Sequence, residues 1–211
     1  LAAAPLAAQH PRAFLTEADV PRLRAMVTAV APTSLGYVPA EAWQALKAQA
    51  DAFVEAGPYH YEVEMPGQEG GPSQHWEYTL TDHRPPRHDE YGHYPPWTAM
   101  FQERADSITT RLKYLSFAYV VSGDGRYLDA AKAMVLHLCA WPGIWTDESY
   151  GGGRPCLDTG HAAEWVGLFY DWCYHGLTAA ERQTIRAALA EKALAPIDAT
   201  LDMAEPYHNF T

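Results

Sequence analysis

The sequence predicts an all-α fold: antiparallel helix pairs in series, interrupted by one long irregular loop over residues 57–96. Two observations predict it. Apolar and aromatic residues recur at three- and four-residue spacing along most of the chain, the mark of helices with one buried side. Stop and start chemistry falls between those stretches, at Gly123-Asp124-Gly125, Gly176 and Thr178. No strand is predicted. With 211 residues the chain has room for one domain with a sizeable core, taken as residues 1–211.

The first element is a helix capped by Thr16 and running to about Val30, with Asp19 at the reciprocal position and Pro21 in its first turns. Pro32 and Ser34-Leu35-Gly36 break it. A second helix spans Ala40 to about Glu55, with Trp43, Leu46, Ala50 and Phe53 on one side. The 57–96 stretch has no helical period and is rich in proline, glycine, histidine and aromatic residues. Segments of that length inside compact domains are usually functional or disordered, and the Tyr and Trp content favours packing. A long helix is predicted from about Thr98 to Ser122, stopped by Gly123-Asp124-Gly125, where glycine admits positive φ and Asp bonds local backbone. The next runs from Tyr127 to Ala140 and ends before Pro142.

Residues 156–196 read as a complete helical hairpin. Ala162, Trp165, Val166, Phe169, Trp172 and Cys173 form the apolar side of its first helix, and Gly176 is the predicted stop. Thr178 and Glu181 are spaced as a capping box, and Ile185, Leu189 and Leu194 carry the stripe of the second helix. Tyr170-Asp171-Trp172 is expected to clamp the helix end through Asp171. Such pairs stack into a bundle, a solenoid or a closed toroid, and periodicity does not choose among these.

Composition narrows the function. A net charge of −11 argues against nucleic acid, which needs a basic face to neutralise phosphates. Seven Trp and thirteen Tyr suit stacking on sugar rings, and a helical core equally. Cys139, Cys156 and Cys173 form no CxxC pair, which argues against a zinc or redox motif; Cys139 and Cys173, on apolar helix faces, are expected as buried free thiols, with one disulfide open to an exported protein. No run approaches the length of a membrane span. The opening LAAAPLAAQ is similar to the small-residue tail of a signal peptide, which gives a secreted or periplasmic protein as the expectation.

Three stretches carry a family resemblance. Residues 169–196, FYDWCYHGLTAAERQTIRAALAEKALAP, resemble the "YDWLYD.L…ER…I…AL..K.L.P" segment of heparinase II/III-like polysaccharide lyases. His10-Pro11-Arg12-Ala13-Phe14-Leu15-Thr16 resembles the "HPRL.LT" opening of their helical domain. Leu115-Ser116-Phe117-Ala118-Tyr119, with Gly123-Asp124 and Arg126-Tyr127-Leu128, resembles "LAFAYLLTGD.RYLDAA". The resemblance implies the first several helices of an (α/α) toroid of the alginate- and chondroitin-lyase type. It also implies β-elimination on an acidic, uronic-acid-containing polysaccharide, with no redox cofactor and no metal. Lyases of this kind carry further toroid helices, a catalytic Tyr and usually a β-sandwich domain. This chain alone is therefore expected to be inactive, with the remainder of a lyase chain as its partner.

Such a lyase removes the proton α to a carboxylate and expels the sugar oxygen at C4. It needs a tuned Tyr or His and a group that neutralises the substrate carboxylate. The catalytic candidates are Tyr207, His208 and Asn209, with His208 as base or acid and Asn209 as neutraliser; the competing reading is a frayed terminal segment. The substrate-binding candidates are Arg154, suited to a bidentate grip on a carboxylate, with His161 and Tyr150 nearby. Trp145 is expected to pack in the core. The loop Asp82–Tyr94 contributes Arg87 and His88, part of a local basic island in an acidic protein, and its histidine spacing fits no usual zinc site. Two alternatives remain: a toroid glycoside hydrolase, for which Asp171 and Glu164 are the tempting carboxylates, and a non-catalytic glycan-binding helical module.

Overall fold

The structure, a computed structural model, describes residues 10–65, 72–81, 107–145, 155 and 157–201. These are mostly helical, and the helices pack in pairs. Helix α1 spans Asp19–Met26 and α2 Pro39–Glu55. A hairpin of β1 (His60–Met65) and β2 (Gln74–Thr79) comes next. Beyond it lie α3 (Ile108–Ser122), α4 (Gly125–Ala140), α5 (Leu157–Trp172) and α6 (Ala179–Leu189). A π-helical turn, Ala190–Leu194, leads into α7, Ala195–Leu201. Helix α3 is central, packed against α1, α2, α4 and α5.

The hairpin corrects the all-α expectation for the 57–96 stretch. Its strands are antiparallel, with Tyr61 opposite Tyr78. These two tyrosines are buried, while His60, Glu62, Glu64, His75 and Glu77 are exposed. That is period-two alternation on a half-buried ribbon, which glycine- and proline-rich flanks disguise in the sequence.

Helix α1 is shorter than the predicted Thr16–Val30. Both the backbone N–H and the hydroxyl of Thr16 donate to Asp19 Oδ2, at 2.9 and 2.6 Å. The hydroxyl is thus spent as a donor, only the reciprocal half of the box forms, and the helix begins at Asp19. Helix α3 begins with Ser107 as its cap, the Ser107 hydroxyl accepting from Thr110 N–H. Residues 98–106 of the predicted helix lie outside those described. Gly123 takes φ +73° and Asp124 caps α4, as the turn chemistry dictates.

The second hairpin helix does not end at Pro196. Proline lacks the N–H that would bond the carbonyl four residues back, at Lys192. That carbonyl instead accepts the N–H of Trp145 at 3.1 Å, and the helix continues to Leu201. The π turn before it takes up an extra residue per turn and rotates the helix beyond it. Ala193 is buried as a result, and Leu194, predicted on the apolar stripe, is 59% exposed. Gly176 is a further correction. Helix α5 stops at Trp172, and Gly176 sits in a 3-10 turn at negative φ. A Cβ there would lie 2.5 Å from Leu128 Cδ2 and 2.6 Å from the Tyr119 hydroxyl, so close packing requires the glycine.

The connections between helices divide between two ends. At one end the reversals are tight: Gly123-Asp124 between α3 and α4, and residues 173–178 between α5 and α6. The capping box of Thr178 and Glu181 forms there as predicted. The N-terminal segment docks at the same end, onto the cluster at the close of α5. Asp171 accepts from His10 Nδ1 at 2.5 Å and from the backbone N–H groups of Arg12 and Ala13 at 2.7 and 2.8 Å. Trp172 Nε1 donates to Ala13 O. The predicted clamp is thus a staple joining residues about 160 positions apart.

At the other end stand the C-termini of α2 and α4, the N-termini of α3 and α5, the β-hairpin and the π turn. Trp145 is fully buried, its Nε1 donating to Leu138 O. Lys192 Nζ donates to the carbonyls of Trp141 and Gly143. Cys139 and Cys173 behave as inert core thiols, and Cys156 lies outside the described residues. Cys139 and Cys173 are free and buried, and burial pushes the Cys139 thiol up to about 12 and raises that of Cys173 as well.

Candidate functional site

Two polar–aromatic groups meet at the end that carries the β-hairpin. The first is built on α4 and β2. Half-buried His137 lies in the last turn of α4, Trp141 follows that helix as its cap residue, and Tyr78 points inward from β2. The Tyr78 hydroxyl is 2.6 Å from His137 Nε2. Trp141 Nε1, which can only donate, lies 2.9 Å from the Tyr78 oxygen and 3.1 Å from His137 Nε2. Nε2 therefore accepts, the phenol donates to it, and the neutral imidazole holds its proton on Nδ1. Tyr78 is 3% exposed, which leaves the imidazole as the accessible member of the pair.

The second group is built on α2, its following turn and α3. Arg111 shares the buried stripe of α3 with Ile108, Leu112 and Leu115. Its guanidinium carbon sits 5.1 Å from the ring centroid of Phe53 and 5.1 Å from that of Tyr59. Arg111 is 8% exposed, and its Nε is sealed from solvent with no hydrogen-bond partner. Each ring contact contributes about 0.5–2 kcal/mol. Burying an unpaired charge costs several kcal/mol, so stacking only partly offsets it. The two groups touch: Tyr59 and Tyr78 are edge to face, with ring centroids 6.5 Å apart.

Of the residues singled out from the sequence for substrate binding or catalysis, only His161 falls within the described part. It is half-buried on α5 and lines an apolar groove of about 280 Å³ with Pro155, Leu157, Ile197 and Leu201. No described contact joins it to the Tyr78–His137 pair. Arg87, His88, Tyr150, Arg154, Tyr207, His208 and Asn209 lie outside the described residues. Asp171 and Glu164 share no site. Asp171 is committed to the staple at the opposite end, and Glu164 is exposed.

Sequence reasoning misses Arg111, Tyr59, Tyr78, His137 and Trp141. One signal is legible for Arg111, an arginine at buried-stripe spacing in the apolar run ITTRLKYLSFAYVV. A further groove, of about 470 Å³, opens between α2, α3 and α5, walled by Leu46, Gln49, Phe117, Trp165 and Trp172. Lys113 Nζ caps it, 5.3 Å from the Trp165 ring centroid. Among the described residues the one grouping spaced to hold a metal ion is His60, Glu62 and Glu77. It lies on the exposed face of the hairpin, where His60 is 3.2 Å from Glu62 and 3.0 Å from Glu77. Compared with protein-family models and with curated proteins, the chain matches none.

Proposed function

We propose that this chain is the N-terminal part of an (α/α) toroid in an exported polysaccharide lyase, acting by β-elimination on a uronic-acid-containing polysaccharide. The observation that carries this reading is the Tyr78–His137 hydrogen bond of 2.6 Å at the hairpin end. β-Elimination needs a group that takes the proton α to the carboxylate and a group that protonates the departing O4. The C–H and C4–O bonds break, a C4–C5 double bond forms, and the proton ends on the leaving oxygen, so neither water nor a redox partner enters. With Nε2 taken by Tyr78 and Trp141, the pair offers a donor: the Nδ1–H can protonate the departing O4 while Tyr78 returns a proton to Nε2. The half-buried imidazole is the member with access to a bound chain, and a separate group takes the α proton.

The toroid reading draws on the packed helix pairs and on an apolar edge. Ile197 on α7 lines a groove with Leu194 and Leu201, which are 59% and 74% exposed. A further helix pair would cover that face. A second reading, a non-catalytic glycan-binding module, is favoured by the aromatic groove at Trp165 and Trp172, whose rings suit sugar stacking.

The test is to incubate the full-length protein with alginate and with glycosaminoglycans and follow ultraviolet absorbance. Elimination gives an unsaturated, absorbing product, and His137→Gln is expected to lower its rate by about 100-fold or more. New reducing ends without absorbance would replace the lyase with a hydrolase. Binding without either product would favour the module.

A further inference from the structure

Arg111 is a cation without a counter-ion among the described residues. No carboxylate and no hydrogen-bond acceptor there pairs with its guanidinium, whose carbon lies 5.1 Å from the ring centroids of both Phe53 and Tyr59. The fold invests in this position: Arg111 is fixed on a central helix, and both rings come from the end of α2 and the turn after it. Of its three nitrogens only Nε is both sealed and unpaired, so the terminal pair, Nη1 and Nη2, keeps a path to solvent. Those two are the prongs that grip a planar carboxylate.

We propose that Arg111 is a binding residue for the carboxylate of an acidic sugar chain. This rests on the lyase reading for its substrate class, and it names the residue that would confer that class. The ligand chemistry is drawn from three observations. The guanidinium is a planar fork lodged against two aromatic rings, which suits a planar, two-oxygen partner better than a spherical one. The site is partly desolvated, which strengthens a charge-assisted hydrogen bond. The chain as a whole carries −11, so an anionic polymer is repelled at long range and needs a local cation to be held. The Tyr59–Tyr78 contact places this cation beside the Tyr78–His137 pair, next to the carbon whose acidity a bound carboxylate would control.

The experiment is binding to the full-length protein by calorimetry, using oligogalacturonate, a neutral maltooligosaccharide and a sulfated dextran fragment. The wild type is expected to prefer the carboxylated chain. Arg111→Met is expected to weaken that binding by about 10- to 100-fold, the range for one lost charge-assisted hydrogen bond. It should leave neutral-chain binding unchanged and the melting temperature unchanged or raised, because an unpaired buried charge has been removed. Arg111→Lys, which keeps the charge and loses the fork, is expected to fall between. The proposal is overturned if the wild type does not bind oligogalacturonate, if it binds the sulfated chain as well, or if Arg111→Met keeps the preference. A melting temperature lowered in Arg111→Met with binding intact would make the residue a structural stack. The absorbance assay separates this from the lyase reading. Selective binding without unsaturated product keeps Arg111 and removes the lyase, whereas turnover with unchanged KM in Arg111→Met does the reverse.

Discussion

The two ends of the helix pairs treat buried charge in opposite ways. At the tight-turn end, Asp171 is buried and three donors converge on it, one of them an imidazole. At the hairpin end, Arg111 is equally buried and no acceptor meets it among the described residues. The first arrangement is what stability requires, since a buried carboxylate costs far less once its lone pairs are filled. The second leaves a desolvation cost standing. The tight end thus satisfies its buried charge, and the other end holds the one we propose a ligand completes.

The comparison breaks most readily at Asp171. Asp171→Ala strands His10 and two backbone N–H groups and should cost about 3 kcal/mol or more, lowering the melting temperature by roughly 10 °C. If sugar binding fell with it at temperatures where the variant stays folded, the division between the ends would fail. Gly176→Ala comes next. Its Cβ would strike Leu128 and the Tyr119 hydroxyl, and overpacking of this kind costs about 1–3 kcal/mol. The control is Gly125→Ala, where a Cβ meets nothing within 4 Å, and chemical denaturation should show it neutral or slightly stabilised.

Thr178→Ala should cost about 1 kcal/mol through loss of the cap, read from the same denaturation curves. The smallest effect is a pH dependence in the same box. The backbone N–H of Thr178, together with its hydroxyl and Lys132, holds the Glu181 carboxyl below its ordinary value. A carboxylate with a depressed folded pKa stabilises the fold fully above its unfolded pKa and loses that contribution as pH falls through the folded value. The melting-temperature difference between wild type and Glu181→Gln should therefore be constant near neutrality. It should shrink only below about pH 4.5. A difference that grew on acidification would contradict the capping geometry.

Much of the scaffold is legible in the sequence because its signals are local. A capping box needs two residues three apart, and a left-handed turn needs one glycine, so Thr178, Glu181 and Gly123 announce themselves. Helical periodicity likewise marks α2 and the body of α5 within a residue or two. Where local patterns mislead, a neighbour distant in sequence has intervened. The Trp145 N–H takes the carbonyl that Pro196 leaves free, and the helix runs on where proline alone predicts a stop. The Tyr119 hydroxyl crowds Gly176, and a residue read as a helix stop is a packing requirement. The β-hairpin is hidden for a different reason: its alternation is present in HYEVEM, but too short to outweigh the loop-like composition around it.

The sequence by itself determined the helix pairs, the capping box at Thr178 and Glu181, and the left-handed turn at Gly123. Each depends on residues within a turn or two of one another. Only the tertiary structure decided what the Tyr170-Asp171-Trp172 clamp holds and where the candidate chemistry sits. His10 meets Asp171 across 161 positions and Tyr78 meets His137 across 59, and no local pattern encodes such pairings. That Arg111 meets no acceptor among the described residues is a tertiary fact of the same kind, because the lack of a partner is a property of everything packed around a side chain.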